Sequence, residues 1–302
     1  MINLLQEPIF LLLEHDKLYV RKKAILCSIK IVKERPETIP LIIDRILPMI
    51  DSRNKGILLP AICLAIEICR INPNCSQAFS KWTSRLCVIL KHLLSVISTT
   101  TQMINVNNPH LQIRTLRMMG IIGQKNSLAR PKFIDCMKRV LKCTDSGNLA
   151  GQSVLYELII VCFERHILDD ELRRNIIEVL MLFLRSTDIN VVYVALAMAL
   201  RISKSDQTSL NIISDNIDMF LSLLLSNTSI LKLNASKVIR YALPYLKNYT
   251  NAAIMVISSL RPDIEQKCVL EEADTFISAV VDLCAFEDQQ FFCKLLKILL
   301  SN

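Results

Sequence analysis

Glycine and aromatic residues are scarce in this sequence. Its 302 residues include 5 glycines and 1 tryptophan, and aromatics make up only 6%. So few glycines argue against hairpin-rich all-β folds, whose turns need positive φ. They also argue against Gly-rich phosphate loops, and neither a Walker pattern nor GxGxxG occurs. The four histidines, His15, His92, His110 and His166, lie far apart and match no H-x-x-x-H or triad-like spacing. Catalysis thus has no motif behind it; the chain reads as non-enzymatic and without a cofactor. Long apolar runs are missing too. The stretches 57–66 and 191–200 stop at about half the ~20 residues that a bilayer requires. The N-terminus "MINLLQEPIFLLLEHD" has no positive region, and Glu7 and Pro8 interrupt it, so it makes a poor signal peptide. A soluble, cytoplasmic protein is expected.

Cysteine is plentiful, with 11 in the chain, but no CxxC pair occurs. Cys63, Cys69 and Cys75 recur every six residues, which scatters them around a helix instead of converging them on a metal. The expectation is reduced cysteines acting as small core hydrophobes, with neither disulfides nor a zinc site. "DDE" at 169–171 precedes a helix and suits its positive N-terminal end better than a metal.

What the sequence has is helix-forming material. It is 52% apolar and rich in Leu, Ile, Ala, Lys and Arg. Net charge is +8, unevenly distributed. Residues 1–150 hold 22 Lys and Arg against 10 Asp and Glu, whereas 151–302 hold 14 against 18. A basic half joined to a mildly acidic one suggests an anionic partner or surface on one side.

One pattern recurs. In "HLQIRTLRMMGIIG" (110–123), Leu111, Thr115, Met118 and Ile122 fall on one helical face, at i, i+4, i+7 and i+11. The same grid fits Val20, Ala24, Cys27 and Ile31, and then Ile57, Ala61, Leu64 and Ile68. It fits Val191, Ala195, Met198 and Ile202, and Leu231, Ala235, Val238 and Ala242. A weaker copy runs Gly151, Leu155, Leu158 and Cys162. The last four copies start 40 residues apart, at 111, 151, 191 and 231. This period predicts an all-α protein, a right-handed α-solenoid of HEAT/armadillo-like repeats of about 40 residues. The second grid position is small, which lets a paired helix approach closely. Partner helices are expected near 38–50, 80–97, 131–143, 172–185 and 211–226, and further helices near 251–260, 272–285 and 289–300. The stretch 98–109 reads as a polar loop. Asn, Asp and Pro clusters at 71–74, 107–109 and 186–188 read as caps and stops. The last helix has no polar cap, so that end is expected to need another chain or further residues.

Five segments carry a family resemblance: "YVRKKAILCSIKIVKERPE" (19–37), "NKGILLPAICLAIEIC" (54–69), 110–123, "GNLAGQSVLYELI" (147–159) and "DINVVYVALAMALRIS" (188–203). In order and spacing they resemble the trunk of large adaptins, most of all the gamma type of the trans-Golgi and endosomal clathrin adaptor, over about 1–245. The resemblance implies a structural subunit of a clathrin-associated adaptor complex in vesicle-mediated transport. It implies beta-adaptin, mu and sigma subunits as partners. It also implies peripheral docking on Golgi, endosomal or coated-vesicle membranes that carry an Arf-type GTPase and phosphoinositide. Residues 1–302 then form a single adaptin-trunk solenoid, incomplete at one or both ends, without the hinge and ear. Val191 and "LKLNAS" (231–236) are less basic than the family pattern, so the resemblance does not extend to cargo and clathrin binding by this chain alone.

Two groups stand out as candidate contacts. Arg21, Lys22 and Lys23 form the densest basic cluster, and Lys30 and Lys33 extend it along the same helix. They could meet anionic lipid or an acidic partner, or be a solvated face. Arg114 and Arg117 could bridge to neighbouring turns or carboxylates, since guanidinium is a fixed fork of donors, or bind an acidic segment in the groove. A basic scaffold for RNA or an acidic protein is the alternative function. Nucleic acid is disfavoured because stacking platforms are few: only Tyr19 lies near the cluster. An importin-like groove would need Trp and Asn ladders, and Trp82 stands alone.

Overall fold

The structure, a computed structural model, describes residues 2–95, 106–263 and 265–283, with side chains from residue 6 onward. Every regular element among them is helical. In chain order they are α1 (Ile2–Leu12), α2 (Leu18–Glu34), α3 (Ile39–Ile46), α4 (Lys55–Ile71), α5 (Thr83–Ser95), α6 (Pro109–Lys125), α7 (Arg130–Cys143) and α8 (Leu149–Glu164). Then follow α9 (Asp170–Leu184), α10 (Ile189–Ser205), α11 (Gln207–Asp215), α12 (Ile217–Leu223), α13 (Ser229–Ala242), α14 (Tyr249–Leu260) and α15 (Lys267–Leu283). Short 3₁₀ turns join several of them. The expected helix at 289–300 and most of the loop at 98–109 lie outside the described residues.

The helix starts are where cap chemistry puts them. Asn54, Asn148 and Asp188 accept hydrogen bonds from the backbone N–H groups of Gly56, Gly151 and Asn190, covering donors that a first turn leaves unpaired. Asn108 turns the chain at φ 54° immediately before Pro109, whose fixed φ suits the first helical position. His166, at φ 53°, closes α8: the Ile167 N–H donates to Cys162 O at 3.0 Å and the His166 N–H to Phe163 O at 3.4 Å. This is the left-handed C-terminal closure in which glycine is usual.

Met1–Leu172 and Arg173–Asn302 are two compact units. In the first, α2, α4, α6 and α8 pack each against the next, and α5 and α7 pack together as a second layer. Trp82 sits fully buried immediately before α5, edge-on to Phe79 with ring centroids 4.9 Å apart, and donates its indole N–H to Leu47 O at 3.0 Å. In the second unit, α10 packs on α13 and α13 on α15, with α11, α12 and α14 flanking α13.

The 40-residue grid is the core of both units. All four grid positions are buried in α4, α6, α8 and α13, as are Ala195, Met198 and Ile202 in α10. Small residues permit close helix packing. Ala24, Ala61, Ala195 and Ala235 are at most 3% exposed. At the equivalent site in α6, the Thr115 hydroxyl is satisfied by donating to Leu111 O at 2.7 Å. Gly120 and Gly151 mark the tightest points around α8. A Cβ at 151 would lie 1.8 Å from the Asp145 carbonyl oxygen, and one at 120 would lie 2.6 Å from Val161 Cγ1.

The fold corrects three expectations. Cys27 is exposed because, in the middle of α2, it falls at the edge of the solvent face one turn after Lys23, and Val20 and Val191, in the first turns of α2 and α10, are only half-buried. The nine described cysteines are all free, but only Cys69, Cys87, Cys136 and Cys162 are buried; Cys143 and Cys268 are exposed like Cys27. The helix expected at 211–226 breaks into α11 and α12. At the break Asn216 Nδ2 donates to Ile212 O at 2.9 Å, competing for the acceptor the next turn would use.

Candidate functional site

The basic helix α2 buries Ala24, Ile25, Ser28, Ile31 and Val32. At 100° per residue, Tyr19, Lys22, Lys23, Leu26, Lys30 and Lys33 then share the opposite face. All six are exposed, Tyr19 by 70% and Leu26 by 42%. The face is therefore basic with apolar residues interleaved, not purely charged. The structure disperses the five basic residues over four kinds of surroundings. Arg21 is half-buried and turned back on the preceding loop, donating from Nε to His15 O at 3.1 Å. Lys33 reaches α4, with Nζ 3.6 Å from Glu67 Oε1. Lys23 Nζ stands 5.4 Å from the centroid of the Tyr19 ring, within cation–π range. Lys22 and Lys30 project along the face with no carboxylate at ion-pairing distance among the described residues.

Glu67 also takes Arg70, whose Nη2 is 2.6 Å from Oε1. That hydrogen bond, outweighing burial, holds the Glu67 carboxyl below its usual range. A Lys33–Glu67–Arg70 triad thus ties α2 to α4.

Arg117 points across α6 to α8. Its Nε and Nη2 donate to the two carboxylate oxygens of Glu157 at 2.6 and 2.5 Å, a fork-on-fork pair with geometry as well as charge. The Glu157 side chain is 7% exposed and that of Arg117 41%, so the clamp has a buried acid and a half-wet base. Arg114 is half-buried on the same helix but has no carboxylate at ion-pairing distance among the described residues. The structure does not join the two arginines in one site.

Between α4, α6 and α8 lies a cavity of about 440 Å³ whose polar lining includes Arg70, Arg117, Lys125, Glu157, Glu164 and Arg165. Lys125 Nζ donates to Pro73 O and Asn74 Oδ1, and Arg165 to Gln124 Oε1, all within 3.1 Å. These hydrogen bonds join the ends of neighbouring helices of the same layer and hold α4, α6 and α8 in register.

Sequence reading did not find the carboxylate partners, yet their spacing carries a signal. Glu157 lies 40 residues after Arg117, one repeat on, and the two occupy equivalent grid offsets. Arg240 on α13 makes a comparable two-pronged pair with the 4%-exposed Glu272 on α15, at 3.0 and 3.3 Å. Arg173 meets Asp206 at 2.9 Å, and Lys138 meets Asp169 at 2.7 Å and also Glu171. Burial raises the Asp169 carboxyl, but Lys138 and the Leu172 N–H outweigh it, leaving it below its usual range. "DDE" therefore serves a helix start and a lysine. No three His, Cys, Asp or Glu side chains among the described residues are placed to hold a metal ion.

Residues 1–235, and so the helices from α1 into α13, match the family described as the adaptin N-terminal region. The chain belongs to the adaptin family. This adaptin is 32% identical over 197 residues to the AP-1 complex subunit gamma of Dictyostelium discoideum, covering 64% of this chain and 22% of that protein. It is 30% identical over 192 residues to AP-1 complex subunit gamma-1 of Schizosaccharomyces pombe, covering 63% and 22%. The AP-1 complex subunit gamma-like 2 of Homo sapiens is 31% identical over 192 residues, covering 63% and 24%. The chain thus spans about a quarter or less of the length of these relatives. In fold the adaptin is similar to a homology model of the full-length AP-3 complex in an intermediate open conformation, with TM-score 0.59 and 18% identity over 92% of this chain and 51% of that one. It is also similar to a computationally designed armadillo repeat protein, with TM-score 0.51 and 14% identity over 78% and 98%. Both likenesses support the all-α solenoid fold.

Proposed function

We propose that this adaptin is a gamma-type trunk, a non-enzymatic structural subunit of a clathrin-associated adaptor complex in vesicle-mediated transport. The observation that carries this reading is the family match over 1–235 with gamma-subunit relatives at about 30% identity. Its partners are beta-adaptin, mu and sigma subunits, and residues 1–302 act as one trunk. No helix among the described residues is long and apolar enough to cross a membrane. In this reading attachment is peripheral, on the cytoplasmic side of Golgi or endosomal membranes that carry an Arf-type GTPase and phosphoinositide. The solvent face of α2, with Lys22, Lys23 and Lys30 beside Tyr19 and Leu26, supports that docking. Lysines near an anionic surface contribute about 1 kcal/mol each, and the interleaved apolar groups suit a headgroup boundary. Arg117, already engaged by Glu157, is assigned to holding successive repeats together.

The test is purification of the tagged chain from its own cells, with identification of the chains that come with it. Beta-adaptin, mu and sigma subunits are the expected companions. Ribonucleoprotein components in their place would overturn the reading.

A further inference from the structure

Of the four buried cysteines, two lie on helices that pack directly together. Cys87 is on α5 and Cys136 on α7, 7% and 2% exposed. Cys87 Sγ lies 4.0 Å from the carbonyl oxygen of Lys132, one turn before Cys136 on α7, so its sulfur is seated against the turn that carries the other thiol. The remaining buried cysteines are differently placed: Cys162 Sγ packs on Met137 Sδ at 3.4 Å, and burial pushes the Cys69 thiol up to about 12.

We propose that Cys87 and Cys136 are a modification site: a dithiol that a peroxide converts to an intramolecular disulfide stapling α5 to α7. Each thiol acts on the other's ionisation, which favours the thiolate at Cys136 and disfavours it at Cys87. Burial opposes a charge there, as does Asp135, but Lys91 and Arg139 favour the Cys136 thiolate. A thiolate beside cations is the reactive form of cysteine.

With hydrogen peroxide the chemistry balances. The Cys136 thiolate attacks the O–O bond, forming S–O and releasing hydroxide, so sulfur is oxidised to the sulfenic acid as peroxide is reduced. Cys87 sulfur then attacks that sulfur, forming S–S. The departing hydroxide takes the Cys87 proton and leaves as water. Two thiols and one peroxide give one disulfide and two waters. The staple closes the chain from 87 to 136, removing freedom from the unfolded state, so the oxidised protein should melt higher than the reduced one.

The experiment uses the full chain, titrated with hydrogen peroxide, quenched with an alkylating agent and mapped without reduction. A peptide linking Cys87 to Cys136 should appear with loss of two hydrogens, and dithiothreitol should abolish it. In Cys87→Ser, Cys136 should stop at the sulfenic acid and be trapped by dimedone. The exposed Cys27, Cys143 and Cys268 serve as the control. If they oxidise or cross-link between chains while no 87–136 peptide forms, the proposal fails. It fails equally if dimedone leaves Cys136 unlabelled in a folded Cys87→Ser protein. The wild-type map needs no variant, so a folding defect in Cys87→Ser would not protect the idea.

Discussion

Replacing Arg117 by Met keeps an unbranched stem and deletes the fork that grips Glu157. The carboxylate left behind is 7% exposed, with both oxygens engaged by Arg117 in the native chain. Breaking a buried ion pair from one side costs about 3–5 kcal/mol, because the surviving charge is desolvated and unpaired. Arg117 itself is 41% exposed, so water can reach part of the vacated space, and about 2–3 kcal/mol is the better figure. In a domain of this size that lowers Tm by roughly 5–10 °C. Removing both charges, as in Arg117→Met with Glu157→Met, should recover most of the loss, since no uncompensated group remains. Thermal and urea unfolding followed by circular dichroism would measure all three proteins. If Arg117→Met unfolds like wild type, the clamp does not hold α6 to α8 and its structural assignment is wrong.

Three further outcomes are expected. Ala195→Arg places a charge at a 1%-exposed contact on α10 and should cost several kcal/mol; unchanged thermal stability would show the 40-residue register to be wrong. Gly151→Ala brings a Cβ against the Asp145 carbonyl, so the start of α8 must shift, at about 1–3 kcal/mol, measured by urea titration; a neutral result would refute that close approach. Reversing Lys22, Lys23 and Lys30 to Glu should leave melting unchanged and weaken binding to anionic liposomes. Wild-type binding should also fall steeply with salt. A variant that melts and binds like wild type would make the α2 face a merely solvated one.

The sequence by itself determined the helices and their stacking order. Grid residues such as Ile57, Ala61, Leu64 and Ile68 recur at a helical period, and each copy can bury its stripe only against its neighbours, so period alone dictates a repeat array. Caps were legible at the clusters 71–74 and 186–188, because Asn72 and Asp188 act on N–H groups two residues away; Asn54 and Asn148 were not read from the sequence. Basicity was legible as composition. Tertiary packing decided what each charge does. Arg117 and Glu157 are 40 residues apart and meet only because α6 lies on α8, whereas Arg114, three residues earlier, acquires no such partner. Lys33 was divided from Lys22 and Lys30 by the approach of α4, which brings Glu67 within reach. Packing also sorted the cysteines. Cys27 sits on the grid yet is exposed, while Cys87 and Cys136 come together because α5 lies against α7. Periodicity specifies which face of a helix is apolar. Which atoms finally meet depends on the approach of helices tens of residues apart, and that is set by the packing of the whole unit.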